Sequence, residues 1–180
     1  MNTLKKTLLA ASIFAIAGVA NAMPITGSIG FGGGYTHDGT NLSDATSITI
    51  TDAIVQGAVT GSFAAEGIAA GDTAAYSNFV FNPISTPIAS IWSVGSFSFD
   101  LTSMNVDFQS TTTLVLTGSG IINSTNPNLD TAYGDWSFTA NQANQNFTWS
   151  SSSAPEPAVA LLLGAGLIGF GFARKARKAA

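Results

Sequence analysis

The amino-acid sequence predicts an all-β domain of the β-sandwich or jelly-roll type, lying between two terminal segments of different composition. Val, Ile, Thr and aromatic residues occur throughout residues 23–149 and alternate there with Ser, Thr and Gly. Residues that favour turns recur at intervals of roughly 8–12 residues, and helical periodicity is nearly absent. About nine or ten short strands are therefore expected, which is typical of two-layered all-β domains.

In the first half of the domain, alternating residues predict strands separated by turns. Pro24–Phe31 alternates apolar with small or polar residues, and the glycine triplet at residues 32–34 is expected to end this strand. His37–Asn41 has the composition of a turn. Ser47–Val55 alternates Ile with Thr and predicts a second strand, and a third is expected within Gly57–Ala64.

The strongest strand pattern lies in the middle of the domain. Tyr76–Phe81 predicts a strand that stops at Asn82-Pro83, because proline cannot donate to a sheet ladder. The apolar residues of Trp92–Val94 have one parity in the sequence, and those of Phe97–Leu101 have the other. This change of phase at Gly95 predicts either a β-bulge or two successive strands that bend there.

The second half continues the alternating pattern up to a serine run. Further strands are expected at residues 104–108, 112–116, 136–140 and 147–149, with a polar loop at 123–130 and a hairpin loop at 141–146. Residues 150–154 are rich in serine and predict a flexible linker. The candidate core residues are the large aromatic residues at strand positions, namely Trp92, Phe97, Phe99, Phe108, Trp136, Phe138 and Phe147.

Charge is distributed very unevenly along the chain. All six Lys and Arg residues lie in the terminal segments, and residues 23–154 contain nine acidic residues and no cation. A domain without cations cannot neutralise phosphates, which argues against a nucleic-acid partner. The chain also has no cysteine, so no disulfide supports the domain. Any charged partner is expected to be cationic, such as a divalent metal ion or an amino sugar.

The N-terminal residues 1–22 have the composition of a secretory signal peptide. Two lysines precede a mostly apolar run, Leu8–Ala20, and Ala20 and Ala22 occupy the two small positions of a cleavage site. This order of a basic, an apolar and a small-residue part is typical of exported proteins. We therefore expect export and a mature chain that begins at Met23.

The C-terminal residues 155–180 contain three parts in a defined order. Pro155-Glu156-Pro157 comes first, followed by an apolar span of 16 uncharged residues, 158–173. A basic end, residues 174–178, then contributes Arg174, Lys175, Arg177 and Lys178. As a helix, the span would measure about 24 Å, which is short of a ~30 Å bilayer core. The cations would hold this end in the cytoplasm, and the short span favours a transient transmembrane helix over a permanent anchor.

This order of parts resembles the PEP-CTERM sorting signal of Gram-negative bacteria that make exopolysaccharide. The resemblance covers about the last 26 residues. It implies recognition by an exosortase, a membrane-embedded cysteine transpeptidase, and cleavage near Pro155-Glu156-Pro157. It also implies an inner-membrane intermediate, followed by release or attachment at the cell surface or in the extracellular matrix of a biofilm. A retained tail would instead leave a membrane-tethered surface protein.

Little in the sequence indicates catalysis. His37 is the only histidine, and no Gly-x-Ser-x-Gly motif provides a nucleophile for it. Carboxylate pairs for glycoside hydrolysis could be drawn from Asp100 and Asp107 or from Asp130 and Asp135, but the sequence gives no separation between them. We therefore expect no enzymatic activity.

One loop offers several oxygen ligands. Asp38, Asn41 and Asp44 lie within seven residues of each other, and Ca²⁺ prefers oxygen ligands of these types. The spacing is not that of an EF-hand loop. The alternative is an ordinary turn, in which the same side chains accept hydrogen bonds from their own backbone. Calcium is thus the single cofactor that the sequence indicates, and catalytic residues are expected to be absent.

The sequence therefore predicts an exported, non-enzymatic β protein of the cell surface or extracellular matrix, with an exosortase and extracellular polysaccharide or a surface component as its partners. The alternative is a carbohydrate-binding module or weak glycosidase of the matrix. The molecular activity itself is not indicated by any motif.

Overall fold

The computed structural model describes residues 22–142 and 146–153. The predicted signal peptide up to residue 21 and the predicted sorting signal at residues 155–180 lie outside the described residues. The described elements, in chain order, are β1 Met23–Pro24, β2 Ser28–His37, β3 Ser47–Ile50, β4 Ile54–Gln56, α1 Gly61–Ala65, β5 Ala75–Tyr76, β6 Phe79–Val80, β7 Ile88–Val94, β8 Phe97–Gln109, β9 Thr113–Ser124, β10 Leu129–Asp130, β11 Ala132–Asn141 and β12 Asn146–Ser153. The predicted all-β class is confirmed.

Most strands belong to one antiparallel sheet of ten strands. Its order is β5-β7-β8-β9-β11-β12-β2-β3-β6, and β4 also pairs with β2. Short connections join β7 to β8, β8 to β9 and β11 to β12, so this part of the sheet is a meander of neighbouring strands. β1 and β10 form a separate parallel pair.

The sheet curls until its two ends meet. Residues 71–74 run beside β4, where the Val55 amide donates to the Asp72 carbonyl at 2.8 Å and the Ala74 amide donates to the Ala53 carbonyl at 3.0 Å. The same segment leads into β5, which pairs with β7 at the other end of the sheet. Hydrogen bonding therefore continues from β2 through β4 and residues 71–76 to β7, and the sheet forms a roll around one core.

The largest buried side chains of the core are aromatic, and they contact one another both between neighbouring strands and across the roll. The rings of Trp92 and Phe99 stack at 5.8 Å, and the ring of Phe79 on β6 lies edge-on to that of Phe138 on β11 at 5.4 Å. Six of the seven predicted core aromatics are buried: Trp92, Phe97, Phe99, Trp136, Phe138 and Phe147. Burial of such a side chain contributes about 1.5–3 kcal/mol relative to exposure.

The prediction that the seventh aromatic residue, Phe108, belongs to the core is wrong, because its side chain is 54% exposed. The register of β8 shifts between Leu101 and Ser103 and again between Val106 and Phe108. Each shift is a bulge that turns the following residues to the opposite face. The first bulge places Met104 in the core, and the second turns Phe108, four residues later, to the outer face of the sheet, opposite Val115.

The bulge predicted at Gly95 is replaced by a hairpin turn. Val94 pairs with Phe97, and Gly95 has a φ of 55°. A two-residue hairpin favours a positive φ, which glycine adopts without steric cost. The alternative of two successive strands at this position is therefore the correct one.

The glycine triplet at residues 32–34 does not end the first long strand, because β2 continues through it to His37. A Cβ atom on Gly33 would lie 2.0 Å from the Asp52 carbonyl oxygen. Gly33 therefore has no side chain because the backbone of Asp52 passes close to β2, and not because the chain turns there.

Several other expectations also differ from the structure. The strand expected at Tyr76–Phe81 is split into β5 and β6, and the strands expected at residues 97–101 and 104–108 are the single strand β8. Ser47–Val55 is split into β3 and β4, and the third strand expected within Gly57–Ala64 is absent because Gly61–Ala65 forms α1, which buries Phe63. The serine run expected to be a linker belongs to β12 as far as Ser153. Its residues 150–152 pair with β11 on one side and with β2 on the other, which satisfies their backbone groups within the sheet.

Candidate functional site

The loop proposed for calcium uses its side chains as acceptors for its own backbone. Asp38 Oδ1 accepts hydrogen bonds from the Thr46 amide at 2.8 Å and the Ser47 amide at 2.9 Å. Asp44 Oδ1 accepts from the Asn41 amide at 2.9 Å, and its Oδ2 accepts from the Thr40 amide at 3.2 Å. These bonds are those of the alternative, a turn held by its side chains.

Asn41, the third candidate ligand, and the lowered pKa values of the two carboxyl groups are also explained by this turn. Asn41 Oδ1 accepts from both the amide and the hydroxyl of Ser43. Hydrogen bonds from the Thr46 hydroxyl, the Thr46 amide and the Ser47 amide lower the pKa of Asp38, because they stabilise the ionised carboxylate. The bond from the Asn41 amide is the main cause of the lowered pKa of Asp44.

His37 is half-buried at the end of β2, and its ring contacts an amide side chain. Its Nε2 lies 2.8 Å from Gln142 Oε1, and within the described residues its buried Nδ1 has no hydrogen-bond partner. The neighbouring Asp38 carboxylate is engaged with Thr46 and Ser47 instead. The described geometry therefore does not provide the acid-oriented imidazole of a catalytic triad.

Asp100 and Asp107, one of the two carboxylate pairs that the sequence offers for glycoside hydrolysis, are not arranged as a pair. Asp100 accepts hydrogen bonds from the Ser90 amide at 2.7 Å and from Asn123 Nδ2 at 2.9 Å. Asp107 lies seven residues further along β8, a distance of roughly 20 Å in an extended strand, whereas catalytic carboxylates lie about 5–10 Å apart. Across the described ranges, no three His, Asp or Glu side chains converge.

A shallow polar groove crosses the outer face of the sheet over β8, β9, β11 and β12. Its lining includes seven polar residues, Ser103, Asn105, Thr117, Ser119, Asp135, Ser137 and Ser152. Ser103, Ser119, Asp135 and Ser152 are successive cross-strand partners and therefore form one row across the four strands. Asn105 and Thr117 begin a second row, one pleat further along.

The bulge in β8 shapes this groove. Because the register shifts between Leu101 and Ser103, Ser103 lies opposite Ser119, and their hydroxyl oxygens are 2.8 Å apart. The Thr102 hydroxyl also donates to the Ser119 carbonyl at 3.0 Å. The outer face therefore presents hydroxyl groups that are already held in place by the sheet.

Two exposed aromatic residues lie on the same face as the groove. Tyr133 is 67% exposed and precedes Asp135 by two residues on β11, so both side chains point outward. Phe108 is 54% exposed and lies opposite Val115, two residues before Thr117 on β9. The groove thus lies between two exposed rings, one towards each end.

The sequence prediction missed this groove. The groove is indicated in the sequence by the Ser, Thr, Asn and Asp residues that alternate with buried residues. Such residues are common on any solvent-exposed face of a sheet. Strand order and register are needed to bring the residues of four strands together. Alternation with Met104 and Val106 predicts Phe108 in the core, because the bulge between Val106 and Phe108 that turns its ring outward leaves no mark in the sequence.

No protein-family profile, no curated protein and no solved structure matches this chain. Within the part of the chain that the structure describes, no helix is both long and apolar enough to cross a membrane.

Proposed function

We propose that this chain is an exported, non-enzymatic protein of the cell surface or extracellular matrix, sorted and cleaved by an exosortase at Pro155-Glu156-Pro157. It passes through the inner membrane of a Gram-negative bacterium as an intermediate. Its destination is the exopolysaccharide of a biofilm or another surface component. Its β-rich domain acts there by binding or by forming structure.

The uneven distribution of charge carries this proposal. All six cations lie before residue 7 or after residue 173, next to the two apolar segments, and residues 23–154 contain none. Cations beside an apolar segment hold that end on the cytoplasmic side of a membrane. Nine acidic residues without a cation keep the domain between the two segments away from anionic lipid and from nucleic acid.

The start of the described sheet supports the proposed N-terminal processing. Met23, the expected first residue of the mature chain, is the first residue of β1, and its amide donates to the Asn128 carbonyl at 3.0 Å. Cleavage after Ala22 would leave every described strand intact. The proposed mature chain therefore begins at the first residue of the first described strand.

We further propose that the rolled sheet is a flattened, sandwich-like arrangement related to a jelly roll. Ring contacts between non-neighbouring strands support this, such as Phe79 on β6 against Trp136 on β11 at 6.2 Å. Two halves of one sheet would face each other across about 10 Å of aromatic side chains, as in a sandwich core.

Calcium at Asp38, Asn41 and Asp44 is kept as a secondary proposal. A carboxylate has lone pairs beyond those that its backbone bonds use, so a cation could join the loop. A rise in melting temperature with added Ca²⁺, absent in Asp44→Asn, would support it through ligand linkage. An unchanged melting temperature would contradict it.

The test of sorting compares cells with and without the exosortase. Immunoblots of membrane, surface and medium fractions should show a shorter form outside the inner membrane only when the enzyme is present. The variant Glu156→Ala should accumulate at full length in the membrane, whereas Glu66→Ala, an acidic change within the domain, should be processed normally. Identical size and location in both strains would contradict the proposal.

A further inference from the structure

We propose that the polar groove on the outer face of β8, β9, β11 and β12 binds a polysaccharide chain without anionic groups. This inference names a ligand class for the β domain and does not depend on how the C-terminus is processed. Three properties of the face carry it: its rows of hydroxyl groups, its exposed rings and its charge.

The rows of polar side chains match the hydrogen-bonding groups of a sugar chain. Each serine or threonine hydroxyl can donate one hydrogen bond and accept others, so it can adapt to sugar hydroxyls in either role. The row from Ser103 to Ser152 crosses four strands about 4.8 Å apart. The exposed Asp135 carboxylate lies within this row, where it can accept two hydrogen bonds from neighbouring sugar hydroxyls.

The exposed rings supply the apolar contacts that such a ligand needs. Sugar rings carry C–H groups on their faces and hydroxyls around their edges, so they stack on exposed aromatic side chains that have polar neighbours. Tyr133 and Phe108 are six residues apart in register, which is roughly 20 Å along the strands. This separation fits a chain of several sugars and exceeds a single one.

Charge determines which polysaccharides are accepted. The described residues contain no Lys or Arg, and the groove itself carries the Asp135 carboxylate. Uronate, sulfate or phosphate groups would lie next to this negative charge without any compensating cation. The ligand is therefore a neutral or an amino polysaccharide, and binding by the variant Asp135→Asn distinguishes these two classes.

The test is affinity electrophoresis of the full-length chain, purified in mild detergent, in native gels that contain a soluble polymer. The probes are hydroxyethyl cellulose as the neutral polymer, glycol chitosan as the amino polymer and polygalacturonate as the anionic polymer. We expect retardation by the neutral or the amino polymer and none by polygalacturonate. Retardation of Asp135→Asn should fall only slightly if the ligand is neutral, because the amide oxygen still accepts a hydrogen bond, and should fall strongly if the ligand is an amino polymer, because the charge attraction is also lost.

Variants assign the binding to the groove. Tyr133→Ala and Phe108→Ala should each weaken binding about tenfold, the scale of one aromatic contact, and Tyr133→Phe should retain it. The control Ile84→Ala removes an exposed apolar side chain, 49% exposed, outside the groove. Unchanged melting temperatures exclude a folding defect. Retardation by none of the polymers, retardation by polygalacturonate, or equal binding by all variants would overturn the proposal.

Discussion

The ring of Phe31 lies 5.1 Å from the ring of Trp92, although the strands that carry them, β2 and β7, are not neighbours in the sheet. Contact between them requires that the sheet curl until its two ends face each other. The same contact brings the first long strand of the domain together with a strand some 60 residues later. The core therefore forms only when the whole roll is assembled.

Loss of the Phe31 ring should destabilise the whole domain. Phe31→Ala removes a side chain that is 2% exposed, and such changes cost about 3–5 kcal/mol in the free energy of unfolding. Phe108→Ala is the matched control, because a 54% exposed ring should cost no more than about 0.5 kcal/mol. Urea unfolding followed by tryptophan fluorescence measures both. Equal losses would show that the core is placed incorrectly.

Gly33, the central glycine of the triplet in β2, should tolerate no side chain. In Gly33→Ala the new Cβ would meet the Asp52 carbonyl oxygen at 2.0 Å, so β2 and residues 51–53 must separate. Gly67→Ala is the control, since Gly67 has a φ of 84° and open space around it and should cost only about 1–2 kcal/mol of backbone strain. Unfolding midpoints should fall further for Gly33→Ala. The reverse order would contradict the close approach.

Acid should weaken the domain partly through Asp38. Hydrogen bonds from Thr46 and Ser47 hold its folded-state pKa below its value in the unfolded chain, which is about 3.9. Because the folded pKa is the lower one, the stabilisation is present above about pH 4 and is lost as the pH falls towards the folded pKa.

Melting temperatures measured from neutral pH down to about pH 2 test this effect. Asp38→Asn should melt lower at neutral pH and should lose less stability than the wild type on acidification. Asp107→Asn, at an exposed position of β8, is the control and should follow the wild-type curve. An Asp38→Asn curve parallel to the wild type at every pH would contradict the assigned role.

The serine run of β12 should be needed for the fold. A chain that ends at Ser153 retains all the pairs between β12 and β2. A chain that ends at Trp149 loses the pairs of residues 150–152 with β2 and exposes the edge of β2 at Ile29. We expect a loss of about 2–4 kcal/mol, roughly 1 kcal/mol for each backbone hydrogen bond. Urea unfolding and protease resistance measure the difference. Equal stability of both chains would support the linker interpretation instead.

Alternation predicted the all-β class and most of the core, because buried residues in a strand follow a period of two. Trp92, Phe99 and Phe138 were found in this way. The pattern fails where a bulge shifts the register, as at Phe108, because the extra residue changes the phase without any marker residue. It also fails at the glycine triplet and the serine run, where composition favours turns and linkers but tertiary pairing determines the strand.

The candidate groove was beyond the reach of sequence patterns for a related reason. Ser103, Ser119 and Asp135 lie on three different strands, and only the order and register of those strands place them in one row. The predicted calcium ligands Asp38 and Asp44 are close in the sequence, but their hydrogen-bond partners depend on the fold of the loop. The Thr46 amide donates to Asp38, and the Asn41 amide donates to Asp44. The sequence shows which residue types are available to a site, but it does not show which residues each of them contacts.

We propose above all that the chain is exported and trimmed at both ends around the β domain. Intact mass spectrometry of the protein recovered from the surface fraction of exosortase-containing cells tests it most directly. We expect a species that begins at Met23 and ends near Pro155-Glu156-Pro157, after Ser153 so that β12 is complete, with any attached surface component as added mass. A surface species that retains Arg174–Lys178, or one cut within β12, would contradict the claim.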